Sequence, residues 1–456
     1  MMKKLIVLGG GESGCGAAVL GKKLGMDVLL SDAGKLKDSY RALLESHGIP
    51  FEEGGHTESS VMEADLAVKS PGIPDTAPLV EALRRKGVPV VSEIEFAGWH
   101  SDARMVCITG SNGKTTTTSL IYHIMKRAGM DVGLAGNIGQ SLALQVALDP
   151  KPLYVIELSS FQLDGMADFK ADVAVLMNIT PDHLDRYDHK MQNYVDSKFR
   201  IIRNQTPPDY FIYWADDPVI RGELARYDIT ARRLPFSSCG AAEGCSGAAA
   251  CVDDTRMEIK VPGMVDMTIS RSRLPLKGLH NMYNCMAATL ACAACGVTQD
   301  AIFSGMESFE AVPHRLEPVG EIDGVRWIND SKATNVASTY YALESMDSPT
   351  VLILGGTDKG NDYSEILPFV KQKVREIVCM GVDNRKIIDF FSGEVEAVHD
   401  THSLADAVEC CRRVARPGET VLLSPCCASF DLFRNYEQRG DLFREAVKSL
   451  RLNPKP

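Results

Sequence analysis

The sequence predicts an α/β protein with three domains, each built on a largely parallel sheet. At 456 residues the chain is about three times the length of an ordinary domain. Apolar strands alternate with helical segments, and glycine-rich loops follow several of the strands. We expect an N-terminal Rossmann-like domain over residues 1–96, a central domain with a P-loop-type parallel sheet over 97–311, and a C-terminal Rossmann-like α/β domain over 312–456.

Charge and hydropathy limit the partners that this chain can have. Its 60 Asp and Glu residues outnumber 49 Lys and Arg residues, and the net charge of −11 argues against a general surface for nucleic acid or anionic membranes. No apolar run approaches the roughly 20 residues that a membrane-spanning helix needs, and the apolar N-terminal stretch is too short for a signal peptide. Thirteen cysteines scattered through apolar segments indicate reduced thiols. We expect a cytoplasmic monomer whose partners are small molecules.

The first glycine loop follows a strand at residues 4–8 and predicts a pyrophosphate site. Gly9-Gly-Gly-Glu-Ser-Gly14 satisfies the G-x-G-x-x-G pattern, and Asp32 follows the second strand, where a ribose-binding acid would lie. The turn at residues 70–73 should lie beside this loop. Taken alone the pattern favours NAD only weakly, because a helix N-terminus selects a pyrophosphate and not the group attached to it. Further strands are expected at residues 27–30, 65–68 and 88–91.

The second glycine loop predicts an ATP site. In Val106-Cys-Ile-Thr-Gly-Ser-Asn-Gly-Lys-Thr-Thr-Thr-Thr118 an apolar strand leads into a glycine loop and then a helix. The glycines let N–H groups point inward, Lys114 adds charge for the outer phosphates, and Thr115 offers a hydroxyl to Mg²⁺. The loop is a short form of G-x-x-x-x-G-K-[ST], with Ile108 at the first glycine position. An ordinary strand-turn-helix with a surface lysine is the alternative. The candidate ATP-binding residues here are Gly110, Ser111, Asn112, Gly113, Lys114, Thr115 and Thr116.

Other residues of the central segment extend this prediction. Glu157 ends a strand where nucleotide hydrolases and kinases place a magnesium-ordering carboxylate, although it could also cap the next segment. Residues 231–276 alternate apolar and polar side chains, which predicts short antiparallel strands flanking the sheet. In the following helix His280, Asn281 and Asn284 are either buried polar caps or nucleotide contacts. Central strands are expected at residues 131–134, 153–157, 172–178 and 210–213.

The third segment begins with a hairpin whose turn is Asp323-Gly324. A strand at residues 350–354 leads into Gly355, Gly356 and Lys359. Two glycines and a lysine after a parallel strand suggest an anion site, although the spacing supports a simple turn nearly as well. Strands at residues 376–380 and 419–424 are expected to extend this sheet.

Five motifs, in order along the chain, resemble those of the ATP-dependent Mur ligases. They are Thr109-Gly-Ser-Asn-Gly-Lys-Thr115, Glu157-Leu-Ser-Ser-Phe-Gln-Leu163, Asn178-Ile-Thr-Pro-Asp-His-Leu-Asp185, Gly278-Leu-His-Asn-Met-Tyr-Asn284 and Asp330-Ser-Lys-Ala-Thr-Asn335. Their ordered combination is far more specific than any one of them. Residues 158–163 and 424–440 further resemble the members that add D-glutamate. The resemblance implies that ATP drives the joining of D-glutamate to UDP-N-acetylmuramoyl-L-alanine through an acyl phosphate, in peptidoglycan precursor synthesis.

The resemblance also assigns residues to the three substrates, and it gives the first domain to the uridine nucleotide instead of NAD. The implied UDP-substrate-binding residues are Glu12, Ser13, Asp32, Ser70, Gly72, Asn137, Ser159, Gln162 and His183. Those implied for D-glutamate are Thr334, Lys359, Ser429 and the backbone of Phe430. Asn281 and Asn284 are expected at ATP, which His314, Arg315, Asp330 and Lys332 are expected to approach when the third domain closes.

The resemblance further implies two magnesium ions. Thr115 and Glu157 are expected to serve one ion, and the resemblance adds His183 and Lys198 for the second. A lysine ammonium cannot ligate magnesium, and the family's solution is a lysine carbamylated by CO₂, which supplies an anionic oxygen. The expected catalytic residues are Lys114, Asn137, His183 and Lys198.

Three other classes of enzyme or regulator explain part of the sequence. An NAD-dependent oxidoreductase would use the first loop but would leave the ATP loop and Lys359 unexplained. A P-loop regulator or transport ATPase would use the second loop but would leave the first domain without a role. Folylpolyglutamate synthetase shares the ATP-loop chemistry, but the sugar-nucleotide domain argues against it.

Overall fold

Two compact units make up the chain. A computed structural model describes residues 3–182, 184–238, 250–252, 256–274, 278–310, 313–358 and 360–450. The first unit comprises Met1–Arg273 and Tyr283–Phe309, and the second comprises Leu274–Met282 and Glu310–Pro456. Within the described ranges, no helix is long and apolar enough to cross a membrane.

The first unit begins with a five-stranded parallel sheet in the order β3-β2-β1-β4-β5. The strands are β1 (Lys4–Leu8), β2 (Asp27–Asp32), β3 (Phe51–Glu53), β4 (Leu66–Lys69) and β5 (Val90–Ser92). The helices are α1 (Glu12–Lys23), α2 (Asp38–Ser46), α3 (Glu58–Val61), α4 (Pro78–Arg85) and α5 (Glu93–Gly98). The strand order reverses at β1, so the loop after β1 opens at the crevice where such sheets bind ligands. The Rossmann-like class is confirmed.

A second sheet of nine strands follows, in the order β14-β13-β12-β11-β10-β9-β6-β8-β7. The strands are β6 (Arg104–Thr109), β7 (Val132–Gly136), β8 (Leu153–Glu157), β9 (Val173–Leu176), β10 (Tyr210–Trp214), β11 (Arg232–Ser237), β12 (Ala250–Val252), β13 (Arg256–Val261) and β14 (Val265–Ser270). The helices are α6 (Lys114–Arg127), α7 (Leu142–Leu148), α8 (Ser160–Asp164), α9 (Met191–Phe199), α10 (Pro218–Glu223), α11 (Leu279–Ala294) and α12 (Gln299–Glu307). Here the order reverses at β6, which leads into the second glycine loop.

The prediction of antiparallel strands over residues 231–276 is only partly right. Strand β11 runs parallel to β10, and β12 runs parallel to β11, so the parallel sheet continues further than predicted. Among the described residues of this segment, the antiparallel pairs are β12 with β13 and β13 with β14. The reason is the crossover through α10, which brings β11 back in the direction of β10.

Both sheets of the first unit share one hydrophobic core. Leu5 and Val28 of the first sheet belong to the same buried cluster as Cys107 and Ile156 of the second. Helices α1 and α7 meet closely within it: a Cβ on Gly16 would lie 1.9 Å from Ser141 Oγ and 3.1 Å from Leu144 N. The glycine is therefore needed for this approach.

The second unit contains a six-stranded sheet in the order β15-β16-β20-β17-β18-β19. The strands are β15 (Glu317–Ile322), β16 (Val325–Asn329), β17 (Thr350–Leu354), β18 (Val374–Met380), β19 (Ala397–Thr401) and β20 (Thr420–Leu423). The helices are α13 (Val336–Glu344), α14 (Leu367–Lys373), α15 (Arg385–Phe391), α16 (Leu404–Val414) and α17 (Tyr436–Leu450). Strands β15 and β16 form the predicted hairpin, and the other neighbours are parallel.

The three-domain α/β class is confirmed, with one sheet in each predicted segment. The boundary predicted at 96/97 falls inside α5, and the one at 311/312 falls between α12 and β15. Both boundaries stay predictions. The two compact units do not separate the first sheet from the second.

We expect Gly16→Ala to lower the free energy of unfolding by about 1–3 kcal/mol, because the new methyl group would overpack the α1–α7 contact. Gly222→Ala is the matched control. That glycine lies in α10 with open space around its Cα, so alanine should stabilise the helix by about 0.5–1 kcal/mol. Urea unfolding of both variants measures the two effects, and equal stability of Gly16→Ala and the parent chain would contradict the close packing.

Candidate functional site

The second glycine loop lies between β6 and α6, and its two glycines are required by the backbone. Gly110 has φ 152°, and Gly113, the N-cap of α6, has φ 82°. A Cβ on Gly110 would lie 2.8 Å from Met177 Cβ, and one on Gly113 would lie 2.6 Å from Asn284 Oδ1. The loop therefore has the tight form that the sequence predicts, with the N-terminus of α6 directly behind it.

Residues that follow β9 hold this loop in place. Ser111 N donates to Asn178 O at 2.9 Å, and Asn112 N donates to Asn178 Oδ1 at 2.8 Å. Ser111 Oγ donates to Thr180 O at 2.8 Å and contacts Tyr194 Oη at 3.0 Å. Two N–H groups of the loop thus bind the protein itself, so Ser111 and Asn112 shape the loop. Their contact with ATP stays a prediction.

Two lysines converge on one carbonyl oxygen of the loop. Lys114 Nζ donates to Gly110 O at 2.7 Å and to Ser111 O at 2.9 Å, and Lys198 Nζ donates to the same Gly110 O at 2.9 Å. Lys198 is 1% exposed, and its Nζ lies 4.7 Å from the centre of the Tyr194 ring. Burial and the neighbouring Lys114 ammonium lower the pKa of Lys198 well below its ordinary value.

Glu157 ends β8 with one carboxylate oxygen bound and the other unpaired. Its Oε1 accepts from Asn137 Nδ2 at 2.8 Å, and its backbone carbonyl accepts from Asn137 N at 2.9 Å. Its Oε2 is buried and has no hydrogen-bond partner among the described residues. A buried carboxylate oxygen that has no hydrogen-bond partner among the described residues and lies beside a phosphate-type loop is a suitable ligand for Mg²⁺. Glu157, together with the buried Thr115 on the first turn of α6, therefore fits one of the predicted magnesium ions.

Ser159 and Gln162 bind one another. They form a capping box at the start of α8, in which Gln162 N donates to Ser159 Oγ at 3.3 Å and Ser159 N donates to Gln162 Oε1 at 3.0 Å. Gln162 is buried. The role that the structure gives this pair is to fix the segment after Glu157, and their contact with the UDP-substrate stays a prediction.

The predicted caps of α11 differ in their surroundings. Asn284 is 2% exposed, and its Oδ1 accepts from Thr117 Oγ1 of α6 at 3.1 Å. It thus lies against the helix that follows the ATP loop. Asn281 is also buried, and it belongs to the second compact unit. Thr116 Oγ1 is buried without a hydrogen-bond partner in the described part of the chain.

The first glycine loop meets Asp32 and the turn after β4 at one edge of the first sheet. Asp32 Oδ2 accepts from Gly10 N at 2.5 Å, and Oδ1 accepts from Gly34 N at 2.7 Å. Ser70 Oγ donates to Gly9 O at 3.3 Å. Both carboxylate oxygens of Asp32 thus accept from backbone N–H groups. The structure brings the predicted residues together, and it shows Asp32 stabilising the loop itself.

Three further residues predicted for the UDP-substrate have distinct environments. Glu12 Oε1 accepts from Ser141 N at 3.2 Å, so this carboxylate engages the start of α7. Ser13 is half-buried, and Gly72 is exposed with open space around it. Lys69, which the sequence analysis did not single out, supports the turn of Gly72 through a hydrogen bond from its Nζ to Ile73 O at 3.0 Å.

In the second unit, Asp330 lies at the end of β16 in a fully enclosed position. Its Oδ2 accepts from Ser424 Oγ at 2.8 Å, and its Oδ1 accepts from Leu316 N at 3.1 Å. Burial raises the pKa of Asp330 to about 7, against the opposing effect of Arg315. Arg315 is half-buried, and its Nε has no hydrogen-bond partner within the described ranges.

The loops predicted for D-glutamate follow β16, β17 and β20. Thr334 N donates to Lys332 O at 2.9 Å, and Lys332 Nζ lies 5.3 Å from the Tyr436 ring centre. Ser429 is 2% exposed, whereas Phe430 is 70% exposed. A cavity of about 920 Å³ opens beside the loops after β17 and β20, and its lining includes Gly356, Thr357, Asp358, Arg385, Lys386 and Asp431.

Two predicted site residues, His183 and Lys359, lie outside the described residues. The sequence analysis also missed residues that shape the site. Asn178 and Tyr194 hold the ATP loop, and Arg439 joins two loops of the second unit. Asn178 and Arg439 lie in segments that carried the family resemblance. Tyr194 could have been found from its i, i+4 spacing to Lys198, which places both side chains on one face of α9.

Three domain families match successive parts of the chain. Residues 5–78 match the MurD N-terminal domain, residues 108–292 match the Mur ligase middle domain, and residues 314–427 match the Mur ligase, glutamate ligase domain. The matched segments follow the order of the three sheets.

Relatives extend over nearly the whole chain. The UDP-N-acetylmuramoylalanine--D-glutamate ligase of Bacteroides fragilis is 54% identical over 450 residues, which cover 98% of this chain and 100% of the relative. The ligase of the same name from Porphyromonas gingivalis is 52% identical over 450 residues, with 98% of each chain covered. A pseudomurein peptide ligase type C from Methanothermus fervidus has a similar fold, with a TM-score of 0.63, 19% identity, and 98% of this chain and 100% of that chain covered. The chain therefore belongs to the Mur ligase family, and within it to the UDP-N-acetylmuramoylalanine--D-glutamate ligases.

Proposed function

We propose that this chain joins D-glutamate to UDP-N-acetylmuramoyl-L-alanine at the expense of ATP, a step in the synthesis of peptidoglycan precursors. The observation that carries the proposal is the pair of glycine loops in one unit, on two sheets with a common core. An ATPase or an oxidoreductase would need only one of these loops. The identity of 54% to a ligase of this name supports the choice of substrates.

Amide formation from a carboxylate requires activation, because a carboxylate is a poor electrophile with a poor leaving group. The L-alanyl carboxylate of the UDP-substrate would attack the γ-phosphoryl group of ATP, which gives an acyl phosphate and ADP. The amine of D-glutamate would then attack the acyl carbon, lose a proton and displace phosphate. Water must be kept away from the acyl phosphate, which would otherwise hydrolyse.

The residues of the first unit would supply charge and orientation. Lys114 would turn from its own loop to the outer phosphates of ATP, whose negative charge it can neutralise. Magnesium, when bound, would offset the charge that develops on the phosphoryl oxygens, with Glu157 and Thr115 as its proposed protein partners. Asn137, fixed by Glu157, would orient the acyl end of the UDP-substrate together with His183.

The two remaining substrate regions are proposed by the same reasoning. The loop of residues 9–14, Asp32 and the turn of residues 70–73 would bind the uridine diphosphate at the edge of the first sheet. Cationic and hydroxyl groups suit the two carboxylates of D-glutamate, so Lys359, Thr334 and Ser429 would bind it in the second unit. We further propose that the protein acts as a monomer in the cytoplasm.

A carbamate on Lys198 would complete the metal site. The Lys198 amine is buried beside a second lysine that donates to the same carbonyl oxygen, so a positive charge on both is disfavoured. A neutral amine can attack the carbon of CO₂, form an N–C bond and lose a proton. The resulting anionic group has oxygens that can bind a second magnesium ion, with His183 as the other proposed partner.

Phosphate release from ATP tests the proposed function. We expect release only when UDP-N-acetylmuramoyl-L-alanine and D-glutamate are both present, because the acyl phosphate needs the first substrate and its consumption needs the second. L-glutamate in place of D-glutamate is the control for the amino acid. Reduction of NAD, or release without an amino acid, would overturn the proposal.

Lys114→Ala should abolish phosphoryl transfer and leave the affinity for the UDP-substrate nearly unchanged. The physical reason is that Lys114 contacts the loop of the second sheet, whereas the uridine site is proposed at the first sheet. Phosphate release and titration calorimetry with the UDP-substrate measure the two properties. A comparable loss of UDP-substrate affinity would show that the two loops do not serve separate nucleotides.

Lys198→Ala should be nearly inactive and should regain part of its activity with formate or acetate, since a small carboxylate can occupy the space of the carbamate. Labelled ¹³CO₂ should give a carbamate signal in the parent enzyme that the variant lacks. Lys126→Ala, which changes an exposed lysine of α6, is the control and should retain both activity and signal. Full activity of Lys198→Ala would exclude the carbamate.

A further inference from the structure

Glu93 is a buried carboxylate. It joins helix α5, which follows the last strand of the first sheet, to helix α7 beside the second sheet. It is the first residue of α5 and is 3% exposed. Its Oε1 accepts from Ser141 Oγ at 2.7 Å and from Ala143 N at 2.6 Å. Ser141 is the N-cap of α7, so the carboxylate binds both the cap and the first turn of that helix.

The start of α7 holds the loop of residues 136–140 that precedes it. Gln145 Nε2 donates to Leu134 O at 2.8 Å and to Gln140 O at 3.2 Å, so the helix is bonded to the strand before this loop and to the last residue of the loop. Within the loop, Asn137 donates to Glu157 through its backbone and its side chain. A displacement of α7 would therefore displace Asn137 relative to Glu157.

The surroundings of Glu93 make a carboxylate an unfavourable choice for packing alone. Burial raises its pKa to about 7, and the nearby Glu12 acts in the same direction, so the ionised form costs stability. Lys23 donates to Ala147 O at the other end of α7, so a cation lies at the C-terminus of this helix and an acidic group at its N-terminus. Packing alone would be served by an apolar side chain.

Resting on the function proposed above, we propose that Glu93 is a positioning residue for the UDP-substrate. Through Ser141 and the first turn of α7 it fixes the loop of residues 136–140, and so the orientation in which Asn137 meets the acyl end of that substrate. Glu93 itself touches none of the reacting groups. Its loss should therefore weaken the use of the UDP-substrate and leave ATP binding at the second loop unchanged.

Steady-state kinetics of Glu93→Ala, Glu93→Gln and Ser141→Ala test this inference. The glutamine keeps the shape and an acceptor oxygen but removes the charge, whereas each alanine removes a contact. We expect the KM for the UDP-substrate to rise about tenfold in Glu93→Ala and by a smaller factor in the other two, with the KM for ATP within about twofold of the parent value. If Glu93→Ala fails to fold, the other two variants decide the question.

Glu95→Gln is the matched control, since Glu95 is a fully buried carboxylate of the same helix. It accepts from Ala167 N, Asp168 N and Phe169 N, away from α7. This variant should lower the melting temperature and leave both KM values unchanged.

If the parent enzyme is active, equal rises in both KM values of the Glu93 variants, or an unchanged KM for the UDP-substrate in these variants, would overturn the positioning role of Glu93 alone. A parent enzyme without turnover would overturn the proposed function, and this inference with it.

Discussion

The close contact between α1 and α7 is the constraint on which the arrangement of the first unit depends. Gly16 brings α1 nearer to Ser141 than any other residue would allow. Each helix begins at a loop on the edge of its own sheet, and the contact therefore fixes the loop of residues 9–11 relative to that of residues 136–140. A sugar nucleotide that binds across both sheets would meet a preformed surface, so little conformational entropy would be lost on binding. The shared hydrophobic core extends from this contact to β6, the strand that precedes the ATP loop.

Two charged side chains beside the ATP loop, Lys198 and Glu157, are buried. Lys114 and Lys198 share the carbonyl oxygen of Gly110, and Oε2 of Glu157 has no hydrogen-bond partner among the described residues. Isolated buried charges cost stability, which ligands of opposite charge can recover. Phosphate oxygens suit the lysines, and a metal ion suits the carboxylate. The proposed reaction thus uses buried charged groups, which are common at functional sites.

In the second unit, a buried guanidinium joins the two loops proposed for D-glutamate. Arg439 is fully buried and donates to Ser331 Oγ at 2.9 Å, to Ser331 O at 2.7 Å and to Cys427 O at 3.3 Å. Ser331 follows β16 and Cys427 follows β20, which are neighbouring parallel strands. The planar fork of arginine can donate to both loops at once, which the single ammonium of a lysine cannot do with the same geometry. One side chain of α17 thus links the segments that carry Thr334 and Ser429.

The sequence by itself determined the three α/β segments, because long buried strands such as β8 and β17 appear as continuous apolar runs before glycine loops. It missed β3 and β19, whose short or mixed patterns carry little periodic signal. Motifs that act within a few residues, such as the loop ending at Lys114, were also readable from the sequence. Only the tertiary structure decided the contacts between distant segments: Glu93 with Ser141, Lys198 with Gly110, and Glu12 with the start of α7. The physical reason is that spacing along the chain fixes local geometry, whereas the packing of helices between sheets determines which charged groups become neighbours.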